Sequence, residues 1–101
     1  MFEGRIKQGV MFLDRKFGEG WVVAINLDNL NLHNCCNCVV GQLYGDFNSI
    51  YVQEDSPCTE DIKRMGFILE TLEETSYGVL TQEWREKIEQ LRKERAHAPT
   101  H

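Results

Sequence analysis

Cys38-Val39-Val40-Gly41-Gln42-Leu43-Tyr44-Gly45-Asp46-Phe47-Asn48-Ser49-Ile50-Tyr51-Val52 is the stretch on which the fold class turns. Val40, Leu43, Tyr44, Phe47 and Tyr51 recur at intervals of three and four, the period of a helix rather than a strand. The spacing predicts a helix over residues 38–52, capped by Asn34 or Asn37. Gly41 and Gly45 fall four apart on a neighbouring stripe with Cys38 and Ser49, so one side of that helix is almost bare. An interior glycine costs about 1 kcal/mol relative to alanine, and some body is expected to come close to that side. Another helix of the same domain is one candidate; a ligand groove or a homodimer surface is the other. On the second reading Gly41 and Gly45 line the groove, and Gln42, Tyr44, Asp46 and Tyr51 orient what binds there.

Upstream of this stretch, the alternation of apolar residues with Asn and Asp over residues 25–34 predicts an extended or turn-rich connector whose leucines point into the core. Its Leu27-x-x-Leu30-x-Leu32-x-x-Cys35 fits a leucine-rich template once, and a solenoid needs about three copies. Further upstream, Phe2, Ile6, Val10, Leu13 and Phe17 predict an amphipathic helix ended by Gly18 and Gly20, with Trp21 as the next anchor. Downstream, Pro57 breaks the pattern. Ser56 or Thr59 can cap a short helix running through Asp61, Ile62 and Met65 to Gly66, and residues 73–78 read as a loop. Leu80, Trp84, Ile88 and Leu91 then define a last helix with Thr81 as N-cap. The fold expected is mainly α: one domain over residues 1–96, with three to four helices, an extended connector and room for a minor β element. Residues 97–101 are expected to be a mobile tail.

Composition narrows the function classes. A chain of 101 residues with 42% hydrophobic content supports one core. Its longest apolar run, residues 21–25, is far below the roughly 20 residues that span a bilayer, and the first residues lack a secretory pattern. A cytoplasmic protein is expected, its cysteines thiols. The net charge of −5 opposes binding to nucleic acid. It is concentrated centrally, with +1, −7 and +1 over residues 1–21, 22–78 and 79–101, which offers an acidic surface to a basic partner.

No catalytic, metal or cofactor set emerges. His33, Cys35, Cys36 and Cys38 crowd four donors into six residues, unlike the separated pairs of structural zinc. A nucleophilic Cys36 or Cys38 would have only His33 nearby as a base. Neither Gly18-Glu19-Gly20 nor the Gly41–Gly45 pair forms a phosphate loop.

From Cys38 to Phe47 the chain resembles a family of small, functionally unassigned proteins of actinobacterial phages. The likeness is carried by Leu13-Asp14 followed by Trp21, the Ile-x-Leu-x-x-Leu-x-Leu connector of residues 25–32, and a Cys-Val-x-Gly-Gln helix here written Cys38-Val39-Val40-Gly41-Gln42. Gly66-Phe67 and Leu80-Thr81-Gln82-Glu83-Trp84-Arg85 complete it. Glu19-Gly20 stands where the family has Pro-Gly, Val39-Val40 where it has Val-Leu, and Cys36 has no place in the pattern. The resemblance implies a phage accessory gene. The leading expectation is a non-enzymatic binding protein for host takeover or counter-defence that occupies a host or defence protein. A sponge for a small signalling nucleotide and a structural or virion-associated part are the alternatives.

Overall fold

Ile6, Val10 and Leu13 lie a turn apart and are buried along one side of helix α1, Glu3–Phe17. In the computed structural model, which describes residues 1–52, 56–71 and 73–96, every regular element is helical. The protein is mainly α. The Gly18 N–H ends α1 by donating to the Asp14 carbonyl at 3.0 Å. A single turn that the pattern did not predict, α2 over Trp21–Ala24, then carries Trp21 inward. The Trp21 indole donates to Asp14 Oδ1 at 2.8 Å, which satisfies its buried N–H.

The connector consists of turns held by its own asparagines. Asn26 Oδ1 accepts from the Asp28 and Asn29 N–H groups, Asn31 Oδ1 from His33, and Asn34 Oδ1 from Cys36 and Asn37. Leu30 and Leu32 are buried, as the alternation predicts. Among the described residues there is no strand, so the room left for a β element is not used.

The helix expected over residues 38–52 is two pieces. α3 spans Val39–Tyr44, Gly45 takes a left-handed φ of 92° at its C-terminus, and the chain resumes as a 3-10 helix over Phe47–Val52. The N-cap is neither Asn34 nor Asn37. Cys38 Sγ accepts from the Gly41 N–H at 3.1 Å, while Asn34 is spent on the preceding turn. The short helix α4 covers Thr59–Arg64 and starts after Cys58 rather than at a hydroxyl cap.

The last helix, α5, runs over Glu74–Ala96 and so includes most of the predicted loop. Tyr77 extends the stripe of Leu80, Trp84, Ile88 and Leu91 by one turn, and its buried hydroxyl accepts from the Leu69 N–H at 3.0 Å. Thr81 is therefore interior, and its Oγ1 accepts from the Leu32 N–H at 2.9 Å. Trp84 is the hub of the core. Its Nε1 donates to the Gly66 carbonyl at 2.7 Å, its ring stacks on Phe67 with centroids 5.6 Å apart, and Trp21 meets it edge-on. One apolar cluster links all these elements. Among the described residues no helix is long and apolar enough to cross a membrane. The tail of residues 97–101 lies outside the described residues.

Candidate functional site

Of the six residues singled out in the sequence, Gly41, Gln42 and Tyr44 lie on α3, Gly45 and Asp46 form the junction after it, and Tyr51 lies on the 3-10 helix. Gly41 is buried, and a Cβ there would overlap the Cys35 carbonyl and crowd Cys36. The body that comes close to this helix is therefore the chain's own 35–36 turn. Gln42 is a clasp: its Oε1 accepts from the Asn26 N–H at 2.6 Å, and its Nε2 donates to the Asn26 and Asn37 carbonyls at 3.1 and 3.0 Å. Tyr44 packs edge-on against Phe17 with centroids 5.2 Å apart. Gly45 has open space where a Cβ would be; its left-handed φ, not a close neighbour, explains the glycine. Asp46 Oδ1 accepts from the Asn48 N–H, and half-exposed Tyr51 rests on Phe47. None of the six lines the clefts described below.

A larger opening lies between α1 and α4. This cleft, of about 760 Å³, has Phe12, Pro57 and Met65 as its apolar surface and Arg15, Lys16 and Arg64 as cations beside it. Gln8, Phe12, Arg15 and Lys16 follow one another at helical spacing, so α1 presents all four on one face. Asp61 sits 3.6 Å from the Arg64 guanidinium and partly offsets it. Beyond Gln8 and Arg64 the surface continues to Arg5, whose two guanidinium nitrogens hold Glu70 at 2.9 and 3.2 Å. That guanidinium keeps the Glu70 carboxyl below its ordinary range. Sequence reading missed this cleft because it followed the buried stripe of α1. Phe12, an aromatic off that stripe and flanked by cations at i+3 and i+4, was the available signal.

A smaller cleft of about 210 Å³ opens beside the connector, walled by His33, Phe47, Phe67 and Tyr77 and reached by Cys35. The rings of His33 and Tyr77 lie 4.8 Å apart. All four cysteines are free thiols, with Cys38 buried and Cys35, Cys36 and Cys58 exposed. Among the described residues no three His, Cys, Asp or Glu side chains gather closely enough to hold a metal ion.

Fold and surfaces together define a small, mainly α protein with a mixed-charge cleft between α1 and α4. No family model, no curated protein and no solved structure matches this chain.

Proposed function

We propose that this chain is a non-enzymatic phage accessory protein of the host cytoplasm, used in host takeover or counter-defence, that acts by occupying a host or defence component through the α1–α4 cleft. The observation that supports this reading is the cleft itself: an apolar floor of Phe12 and Met65 beside Arg15, Lys16 and Arg64. Apolar surface supplies contact area, and a few placed charges set orientation. The ionisable groups there are cations and one carboxylate beside a guanidinium, a set suited to gripping charge rather than to moving protons. The partner segment that fits this cleft is acidic with an apolar anchor, the opposite of the basic partner expected from the acidic middle of the chain.

The same three cations around an aromatic ring also favour a second reading, a sponge for a signalling nucleotide, whose phosphates and base are anionic and planar in turn. Assembly as a homodimer belongs to this proposal as well. Thermal unfolding of the wild type and of Arg15→Glu/Arg64→Glu, each with a nucleotide panel and with purified host or defence proteins, separates the readings. A midpoint raised by a protein partner in the wild type and not in the variant supports the leading reading. A rise with a nucleotide alone supports the sponge. Equal shifts in wild type and variant remove the cleft from both. A native mass measurement reports the subunit count in the same preparation.

A further inference from the structure

Cys35 and Cys36 are adjacent, exposed thiols whose sulfur atoms lie 3.7 Å apart. Their turn is held firmly. Asn34 Oδ1 accepts from the Cys36 and Asn37 N–H groups at 2.8 and 3.0 Å, the Asn34 carbonyl accepts from Cys38 at 3.0 Å, and the Cys35 carbonyl accepts from Phe47 at 2.8 Å. That carbonyl also fills the space a side chain on Gly41 would need. Direct closure to a disulfide runs against this arrangement. A disulfide wants sulfurs about 2.05 Å apart and Cα atoms roughly 4.4–6.8 Å apart, whereas neighbouring Cα atoms sit about 3.8 Å apart across an ordinary peptide. A single soft atom bound to both sulfurs asks for neither change, and thiols prefer soft partners.

The geometry narrows the choice of atom. An ion that prefers two ligands on opposite sides does not suit two sulfurs on one edge of a turn. Trivalent arsenic does, because its three bonds are pyramidal and two can point to the same side. The third bond is left for an organic group, and Cys35 borders the aromatic-walled cleft beside His33, Phe47, Phe67 and Tyr77. Its volume of about 210 Å³ exceeds the roughly 150 Å³ of an engineered cavity that holds benzene.

We propose that Cys35 and Cys36 form a chelating site for a trivalent arsenical carrying one aryl group, with arsenic bridging the two sulfurs and the ring lodged in the adjacent cleft. The reaction is a condensation. Two arsenic–oxygen bonds of an aryl-As(OH)2 break, two arsenic–sulfur bonds form, and each thiol proton leaves with a hydroxyl as water. Arsenic stays trivalent and no oxidant is needed. The neighbouring Cys35 sulfur raises the Cys36 pKa, so this thiol enters the reaction protonated at neutral pH. The hydrogen-bonded turn limits the ordering cost of chelation.

The test uses the full chain and phenylarsine oxide, with intact mass read in excess monothiol. One phenylarsenic per chain is expected to persist, to be stripped by 2,3-dimercaptopropanol, and to map to the peptide that contains Cys35 and Cys36. Cys35→Ser and Cys36→Ser should each lose it at least about tenfold more readily, and Cys58→Ser should retain it. The bonds holding the turn come from Asn34 and the backbone, so both serine variants should keep the wild-type circular dichroism. A methylarsenical should be held about tenfold less tightly than the phenyl compound if the cleft takes the ring. Retention unchanged in Cys36→Ser, or peptide mapping that places arsenic on Cys58, overturns the site. Equal retention of the methyl and phenyl compounds overturns the part assigned to the cleft.

Discussion

Cys38 caps α3 with sulfur instead of oxygen, and its burial has an acid–base consequence. Desolvation pushes the thiol up to about 11 from an ordinary 9.0, while the Gly41 N–H donating to sulfur pulls the other way and loses. Between these values the unfolded chain has released the proton and the folded chain still holds it. Stability is therefore full below about pH 9 and falls as pH rises toward 11, by about 2–3 kcal/mol in all. Cys38→Ser keeps an acceptor at the cap and removes this titration. Urea midpoints at about pH 8 and about pH 10.5 should fall further in the wild type than in Cys38→Ser, and equal falls would show that the thiol does not feel its burial. The neighbouring Gly41 marks how far residue-level reading reaches. A costly interior glycine signals a close approach, and the structure has one there. What approaches is a turn a few residues upstream, whose return onto α3 depends on Asn34 and Phe47 N–H bonds that leave no periodic trace.

At the scale of elements, the apolar period located α1, α4 and the body of α5, and Gly18 marked the stop after Phe17; Gly45, read as interior to a helix over residues 38–52, is instead the stop after Tyr44. The period failed at the start of α5. Thr75-Ser76-Tyr77-Gly78 reads as a loop because none of these residues is a strong helix former, yet tertiary contacts hold the segment in a helix. Tyr77 is buried against the core, and its hydroxyl is the acceptor for the Leu69 N–H. Tyr77→Phe keeps the ring and deletes the acceptor, leaving a buried backbone donor unmatched at a cost of about 1–3 kcal/mol. Denaturant unfolding should show that loss with the slope unchanged, and amide exchange at Leu69 should accelerate more than exchange in the middle of α5. A loss well under the lower bound would mean that another acceptor reaches the Leu69 N–H. The α1–α4 cleft escaped notice at this scale for a related reason. It lies on the solvent side of two amphipathic helices, where pattern reading records only polarity.

Across the whole molecule, the last turns of α5 reach back over the end of α1 and the single turn of α2. The Arg92 guanidinium donates to the Val22 and Ile25 carbonyls, one within the single turn of α2 and one just past it, where a turn this short leaves carbonyls without helical donors. Arg95 donates to the Glu19 carbonyl at 2.7 Å and pairs with Asp14 at 2.9 Å, the same carboxylate that receives the Trp21 indole. A single turn cannot hold itself in water, so α2 depends on this clasp and on the packing of Trp21. The Arg92 contacts require two donors in a fixed fork, which an ammonium does not reproduce. Arg92→Lys should therefore recover little of the stability lost in Arg92→Met, about 1–3 kcal/mol, which corresponds to roughly 4–8 °C per kcal/mol for a domain of this size. Arg95→Met should cost less than Arg92→Met, because Trp21 still holds Asp14 in place. The two truncations together should cost less than their sum, since Arg95 braces the entry to α2 and Arg92 its exit, and losing either loosens the same single turn. Thermal midpoints of the wild type and the four variants decide the matter: full rescue by lysine would reduce the clasp to simple charge, and strict additivity would mean that the two arginines brace independent parts of the fold.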